Sequence, residues 1–510
     1  MDELNPRVRA VCDLQVSGVR EYGGRHEYDG RVQDMSPAGV RIGLARLADT
    51  AKADQRLADP HDEAHLEAFV RTTEVEFGEL ELHRSNPAYH LANLDLACYD
   101  RDYAPREQRD AARRQHLAAW PAAIDGATAA LDRIPAPVAQ ALTSAVGGLA
   151  AGIPTDADEQ VRTDALAAHS RLMSKLQDAA ANGDPNPALG RAALTLLMSS
   201  SEAMPIDVGR LALRADAERD RLMSRLTDSC AEVDSSKPPL EVARALVRDH
   251  PDADGVIDAA RHWTERVIDF TTERDLVPYT DGECVVGLAP ESRRWAMAMM
   301  APASPGEPEG PSWYHITPPD ASWPEADKEE WLEVFSATTL PSITAHEVAP
   351  GHFSHGRALR RAASDVRRTL HSTAFVEGWA HYAEELCIEE GFCADDPRFA
   401  IGVWLEALVR VTRLACAIGV HTDGMTVADA TARFEADTHL SGSAAASEAR
   451  RATFDPTYGR YTWGKLEIMA LRNRAKEEWG AGFTLKRFHT AMLSLGSPPL
   501  GLLSTAIDRG

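Results

Sequence analysis

The chain has 510 residues, with Lys plus Arg at 54, Asp plus Glu at 78 and a formal net charge of −24. Apolar residues make up 44% and charged residues 26%, which excludes a disordered chain, a collagen-like chain and a small disulfide scaffold. The negative charge argues against nucleic acid or an anionic membrane surface as a partner.

Most of the sequence reads as helix. The Ala-rich stretches from Ala111 to Ile134 and from Asp158 to Ala181 favour helix by propensity. Leu240, Ala243 and Leu246 form one apolar stripe; Val256, Ala260, Trp263, Val267 and Phe270 form another. Loops are expected at 182–187, 234–239 and 301–312, where Pro, Gly, Asn and Ser cluster. Two β-rich pieces, at 282–290 and 312–319, are expected to pair as a small antiparallel sheet. No stretch of about 18 apolar residues lacks charge, so no transmembrane helix is expected. The most apolar run, Ile401 to Val420, carries Glu406, Arg410 and Arg413. The first residues, MDELNPRVRAVCDL, contain no apolar core of a secretory signal. The seven cysteines are scattered, with no CxxC, as expected of reduced thiols in a cytoplasmic protein.

The segment ITAHEVAPGHFSHGRAL, 343–359, is the most informative. A zinc hydrolase helix carries two His at i and i+4 with Glu between them as general base. Here His346 and Glu347 fit, but Pro350 stands at i+4 and the next His is His352. Six residues of regular helix rotate by about 600°, leaving two side chains about 120° apart. A shared metal therefore requires a local bulge or kink, which Pro350-Gly351 can supply. His355 is a weaker alternative nitrogen. Downstream, in FVEGWAHYAEEL, Glu377, His381 and Glu384 fall on one helix face. Glu377 is the expected third ligand, and His381 and Glu384 are expected to orient a ligand from behind.

These motifs carry a resemblance. HEVAPGH (346–352), EGWAHYAE (377–384), YTWGKLEIMALR (461–472) and FHTAMLSLGSPPLGLL (488–503) resemble the hallmarks of the bacterial family of domain of unknown function 885, grouped with gluzincin-like zinc metallopeptidases. YHITPPD (314–320) and NPAYHL (86–91) also look like that family. The resemblance implies a mainly α, two-lobed body around a deep cleft, similar to thimet oligopeptidase and carboxypeptidase Taq. It implies His346, His352 and Glu377 as metal ligands and Glu347 as base. It also implies that the β-rich pair holds an extended substrate at its edge. The chain departs from the family at His355, where Gln is usual. It departs again at Ala417, which replaces an Asp in a segment that keeps Arg413, Gly419 and His421.

The expected organisation is an N-terminal helical lobe, 1–280, and a metal-binding lobe, 281–510, in one enzyme body. The expected activity is zinc-dependent hydrolysis of peptide or amide bonds, with Mn, Fe or Co as other metals such ligands admit. Tyr461 and His421 are candidate donors to the oxyanion. Arg413 and Arg472 are candidate partners for a substrate carboxylate. Two other readings remain at this stage: a metal enzyme acting on a small non-peptide amide, and a metal-free helical binding protein.

Overall fold

The computed structural model describes residues 4–52, 56–294, 296–307 and 310–510. It is mainly helical, as expected, with one small sheet. The predicted helices are present as Arg106–Ala130, Glu159–Asn182, Pro239–Leu246 and Val256–Glu273. Among the described residues, no helix is long and apolar enough to cross a membrane. The seven cysteines are all free thiols.

Three hydrophobic clusters make up most of the interior. One runs from Leu4 to Phe69 and includes Val366 and Leu370; a second runs from Leu94 to Leu176. The largest extends from Leu194 to Ile507 and so crosses residue 280.

The sheet corrects one expectation. Strand β1 is Cys284–Leu288, β2 is Ala298–Ala301 and β3 is Ser312–Ile316, in the order β1-β3-β2. The two strands read from sequence, β1 and β3, pair in parallel, not antiparallel. Parallel neighbours need a return leg between them, and β2 is that leg, antiparallel to β3. Its sequence, AMMA, has neither β-branched residues nor alternation, so no sequence signal marks it. Tyr314 and Ile316 of β3 are fully buried. Tyr314 Oη lies 3.4 Å from Thr344 Oγ1, which ties the sheet to the helix bearing His346.

Two further helix contacts position the site. The Pro397–Thr422 helix is buried on nearly every face, as an all-round apolar helix must be. The Thr373–Glu389 helix, capped by Ser372 Oγ accepting from the Phe375 N–H, packs on the Arg460–Trp479 helix. They meet backbone to backbone at two glycines. A Cβ on Gly378 would lie 2.5 Å from the Gly464 carbonyl carbon, and one on Gly464 would lie 2.0 Å from the Ala374 oxygen.

Candidate metal centre

The HEVAPGH segment does not form one kinked helix. A helix, Leu340–Glu347, ends; residues 348–351 turn; a new helix, His352–Leu359, begins. The turn is closed tightly. A Cβ on Gly351 would lie 1.8 Å from the His346 carbonyl oxygen, so only glycine fits. Trp379 holds the turn from the neighbouring helix, its indole N–H donating to the carbonyls of Pro350 (3.0 Å) and Gly351 (3.3 Å).

This turn brings His352 beside His346, with ring centroids 4.8 Å apart and planes at 88°. Nε2 of His346 and Nε2 of His352 each lie 3.5 Å from Oε2 of Glu377. All three ligand atoms fall within 4.8 Å of one another. Ligands at ~2.0–2.1 Å from a tetrahedral ion stand about 3.3–3.4 Å apart. The carboxylate therefore stands from each imidazole at about the edge length of a zinc tetrahedron. His346 is buried, while His352 and Glu377 are partly exposed, which leaves an approach to the ion position.

The orienting groups lie behind His346. Its Nδ1 meets Oε1 of Glu384 at 2.6 Å, so Nε2 faces Glu377. Glu384 is fully buried and its Oε2 accepts from Arg410 Nη1 at 3.0 Å. Burial alone would raise the Glu384 carboxyl, but Arg410, together with the His346 hydrogen bond, holds it well below the usual carboxylate range. Burial and Arg410 push the His346 imidazolium down; Glu377 and Glu384 outweigh them, and its pKa rises to about 9. His381, expected to share the orienting role, is fully buried 3.5 Å from Glu384 Oε2, and its ring nitrogens make no hydrogen bond. Burial pushes it down to about 3, so it stays neutral.

Glu347 follows His346 and enters the same cavity, which has a volume of about 3170 Å³. Its Oε2 accepts from the Met300 N–H of edge strand β2 at 2.7 Å. Tyr461 stacks on His346 with ring centroids 6.4 Å apart. Burial, with Glu377 adding to it, raises the Tyr461 phenol, so it is a donor at neutral pH.

A family model described as bacterial protein of unknown function (DUF885) matches residues 18–507. The chain belongs to the DUF885 family. No curated protein matches it. Two solved structures share the fold across nearly the whole chain. A candidate lipoprotein of unknown function from Shewanella oneidensis is 19% identical, with a TM-score of 0.79 and 98% of each chain covered. A candidate lipoprotein from Colwellia psychrerythraea is 15% identical, with a TM-score of 0.80, covering 98% of this chain and 97% of that one.

Not every expected site residue of this DUF885 chain has its side chain free for chemistry. His421 is 1% exposed; its Nε2 bonds the Ala452 carbonyl and its Nδ1 accepts from the Leu189 N–H. With both nitrogens engaged by backbone, it has no donor left for an oxyanion. Arg472 is absent from the cavity wall and forms a bidentate pair with Glu389 at 2.6 and 2.9 Å. Arg413 does line the cavity, but its fork is closed on Glu448 at 2.7 and 2.8 Å. His355 points at Ser497 Oγ, 3.0 Å away, and not at Glu377.

Three contributors carried no assigned role from sequence. Arg410 locks Glu384, Trp379 clamps the turn, and the Met300 N–H orients Glu347. Arg410 had a visible signal, since it is a charge inside an otherwise apolar run. A backbone N–H has none.

Proposed function

We propose that this DUF885 protein is a gluzincin-like zinc hydrolase that cleaves peptide or amide bonds, with Glu347 as general base. What carries the reading is the convergence of two imidazoles and a carboxylate, with Glu377 Oε2 3.5 Å from both His346 Nε2 and His352 Nε2 and all three groups within 4.8 Å of one another. The donor set, two imidazoles and one carboxylate with Glu384 behind His346, suits zinc and leaves a fourth position open.

When bound, zinc acidifies a water molecule and polarises a carbonyl. The chain's own groups do the rest. Glu347 Oε2 is held by Met300, which leaves Oε1 to take the proton of the attacking water and deliver it to the leaving nitrogen. The Tyr461 hydroxyl donates to the substrate carbonyl oxygen as that atom gains charge. Glu384 keeps the His346 proton on Nδ1, and Arg410 keeps Glu384 ionised.

The cavity favours a peptide over a small amide. At about 3170 Å³ it far exceeds the ~300–1,000 Å³ of small-molecule sites. The test is metal analysis with hydrolysis of a peptide mixture. Wild-type protein is expected to hold one zinc and cleave. Glu347→Gln is expected to keep the zinc and lose activity by roughly 10²–10⁴-fold; His346→Ala and Glu377→Ala are expected to lose the zinc. Wild-type protein without zinc, its stability unchanged in chelator, would overturn the reading in favour of a metal-free binding protein.

A further inference from the structure

Beyond Tyr461 the cavity wall changes character. Along the wall contributed by residues 406–461, the lining arginines are Arg410, Arg413, Arg450, Arg451 and Arg460, against three carboxylates, Glu406, Glu448 and Asp455. Elsewhere around the cavity, Arg133 is the only Lys or Arg among the described lining residues, while Glu76, Asp95, Glu202 and Glu329 are among its acids. In a chain of net charge −24 this is a local reversal of sign.

Most of the five arginines are committed. Arg410 holds Glu384, Arg413 forks onto Glu448, and Arg460 is bound by Asp455 and by Thr457 Oγ1. Arg451 is different. Its Nε and Nη2 both reach the same oxygen of Asp455, at 3.3 Å each, and that oxygen's carboxylate already serves Arg460. Its guanidinium carbon lies over the Tyr458 ring, 4.2 Å from the centroid, and its side chain is 37% exposed. Arg450 beside it makes no side-chain hydrogen bond or ion pair with the described residues. The wall therefore holds more positive charge than its own acids neutralise, and that excess sits at Arg450 and Arg451.

This excess is connected to the metal centre. Tyr461 stacks on His346, Arg413 lies 5.4 Å from the Tyr461 ring, and Tyr458 lies between Arg413 and Arg451 at 4.8 and 4.2 Å. The Tyr461 phenol feels both Glu377 and the Arg451, Arg413 and Arg460 cations. These contacts cap the span from the His346 ring to the Arg451 guanidinium at about 21 Å, and an extended peptide covers about 3.3–3.6 Å per residue, so about six residues or fewer bridge it.

We propose that Arg451, supported by Arg450, binds the free carboxylate of a short peptide whose scissile bond lies at the metal, so that the substrate class is peptides cut near their C terminus. The inference rests on the hydrolase reading. A planar guanidinium held over the Tyr458 ring suits recognition of a carboxylate.

The test separates the two readings. Glu347→Gln protein is mixed with N-acetyl tetrapeptides of random sequence, one set with free C-terminal carboxylates and one amidated, and retained peptides are counted by mass spectrometry after ultrafiltration. The free acids are expected to be enriched at least tenfold over the amides. Adding Arg451→Gln should erase that enrichment while retention of the amides stays constant, and Arg451→Lys should restore part of it. Constant amide retention excludes misfolding as the cause. Equal retention of both sets, retention of neither, or enrichment that survives Arg451→Gln would overturn the proposal. Zinc content and cleavage of the amidated set by wild-type protein test the hydrolase reading separately.

Discussion

Nδ1 of His346 stands 2.6 Å from Oε1 of Glu384. The pair fixes which nitrogen faces Glu377, and Arg410 fixes the pair. Removing such a partner lowers metal affinity by about 10–100-fold. Glu384→Gln is expected to fall in that range by competition with a zinc chelator, whereas His421→Gln should leave zinc affinity unchanged. Equal affinity for wild type and Glu384→Gln would remove Glu384 from the site.

Gly351→Ala tests the turn. The added methyl would collide with the His346 carbonyl, and the backbone must move to admit it. We expect destabilisation of about 1–3 kcal/mol, the usual cost of forced overpacking. Zinc should be lost as well, because the same turn aligns His352 with His346. Thermal unfolding with and without zinc reads both effects. A variant that keeps full zinc affinity would show that the turn tolerates movement.

Zinc uptake should depend on pH with a definite sign. The metal-free protein binds a proton on His346 up to about pH 9. An incoming ion must displace it from Nε2. Apparent affinity is therefore expected to rise by up to about tenfold per pH unit from neutrality towards pH 9 and then level off. Calorimetry in buffers of different ionisation enthalpy should count roughly one proton from His346 released per zinc at pH 7.

His26 gives a stability prediction away from the metal. Burial lowers its pKa, but hydrogen bonds to Asp29 and Glu307 outweigh burial and raise it from 6.5 to about 9. A pKa raised on folding contributes stability that is complete below about pH 6.5 and disappears as pH rises through about 9. Wild-type protein should therefore lose melting temperature between those values relative to His26→Gln. Parallel curves for the two proteins would exclude the effect.

The candidate ligands were legible because their chemistry is written in residue types. Two His, a Glu between and a Glu on a later helix have few other uses in that order. The helical body was legible from apolar periodicity. What sequence did not carry was geometry made by backbone. Strand β2 has no side-chain pattern, so the sheet was expected to be antiparallel. The Val348–Gly351 turn was expected as a distortion within one helix, whereas it separates two. His421 shows a different limit. Its residue type suits an oxyanion donor, but only the fold reveals that two backbone groups have claimed its nitrogens.

The glycine pair that joins the Glu377 helix to the Tyr461 helix sets a spacing that no side chain can adjust. Gly378 follows Glu377 by one residue, and Gly464 follows Tyr461 by three. Glu377, the proposed third ligand, and the Tyr461 phenol are thus gauged against each other by two main chains in contact. Ala417 and His355 lie on other helices, so their identities leave that gauge untouched. Under the proposed hydrolase function, substrate preference could change while the carboxylate and the hydroxyl keep their separation. A single methyl at either glycine would alter that separation without changing a catalytic side chain.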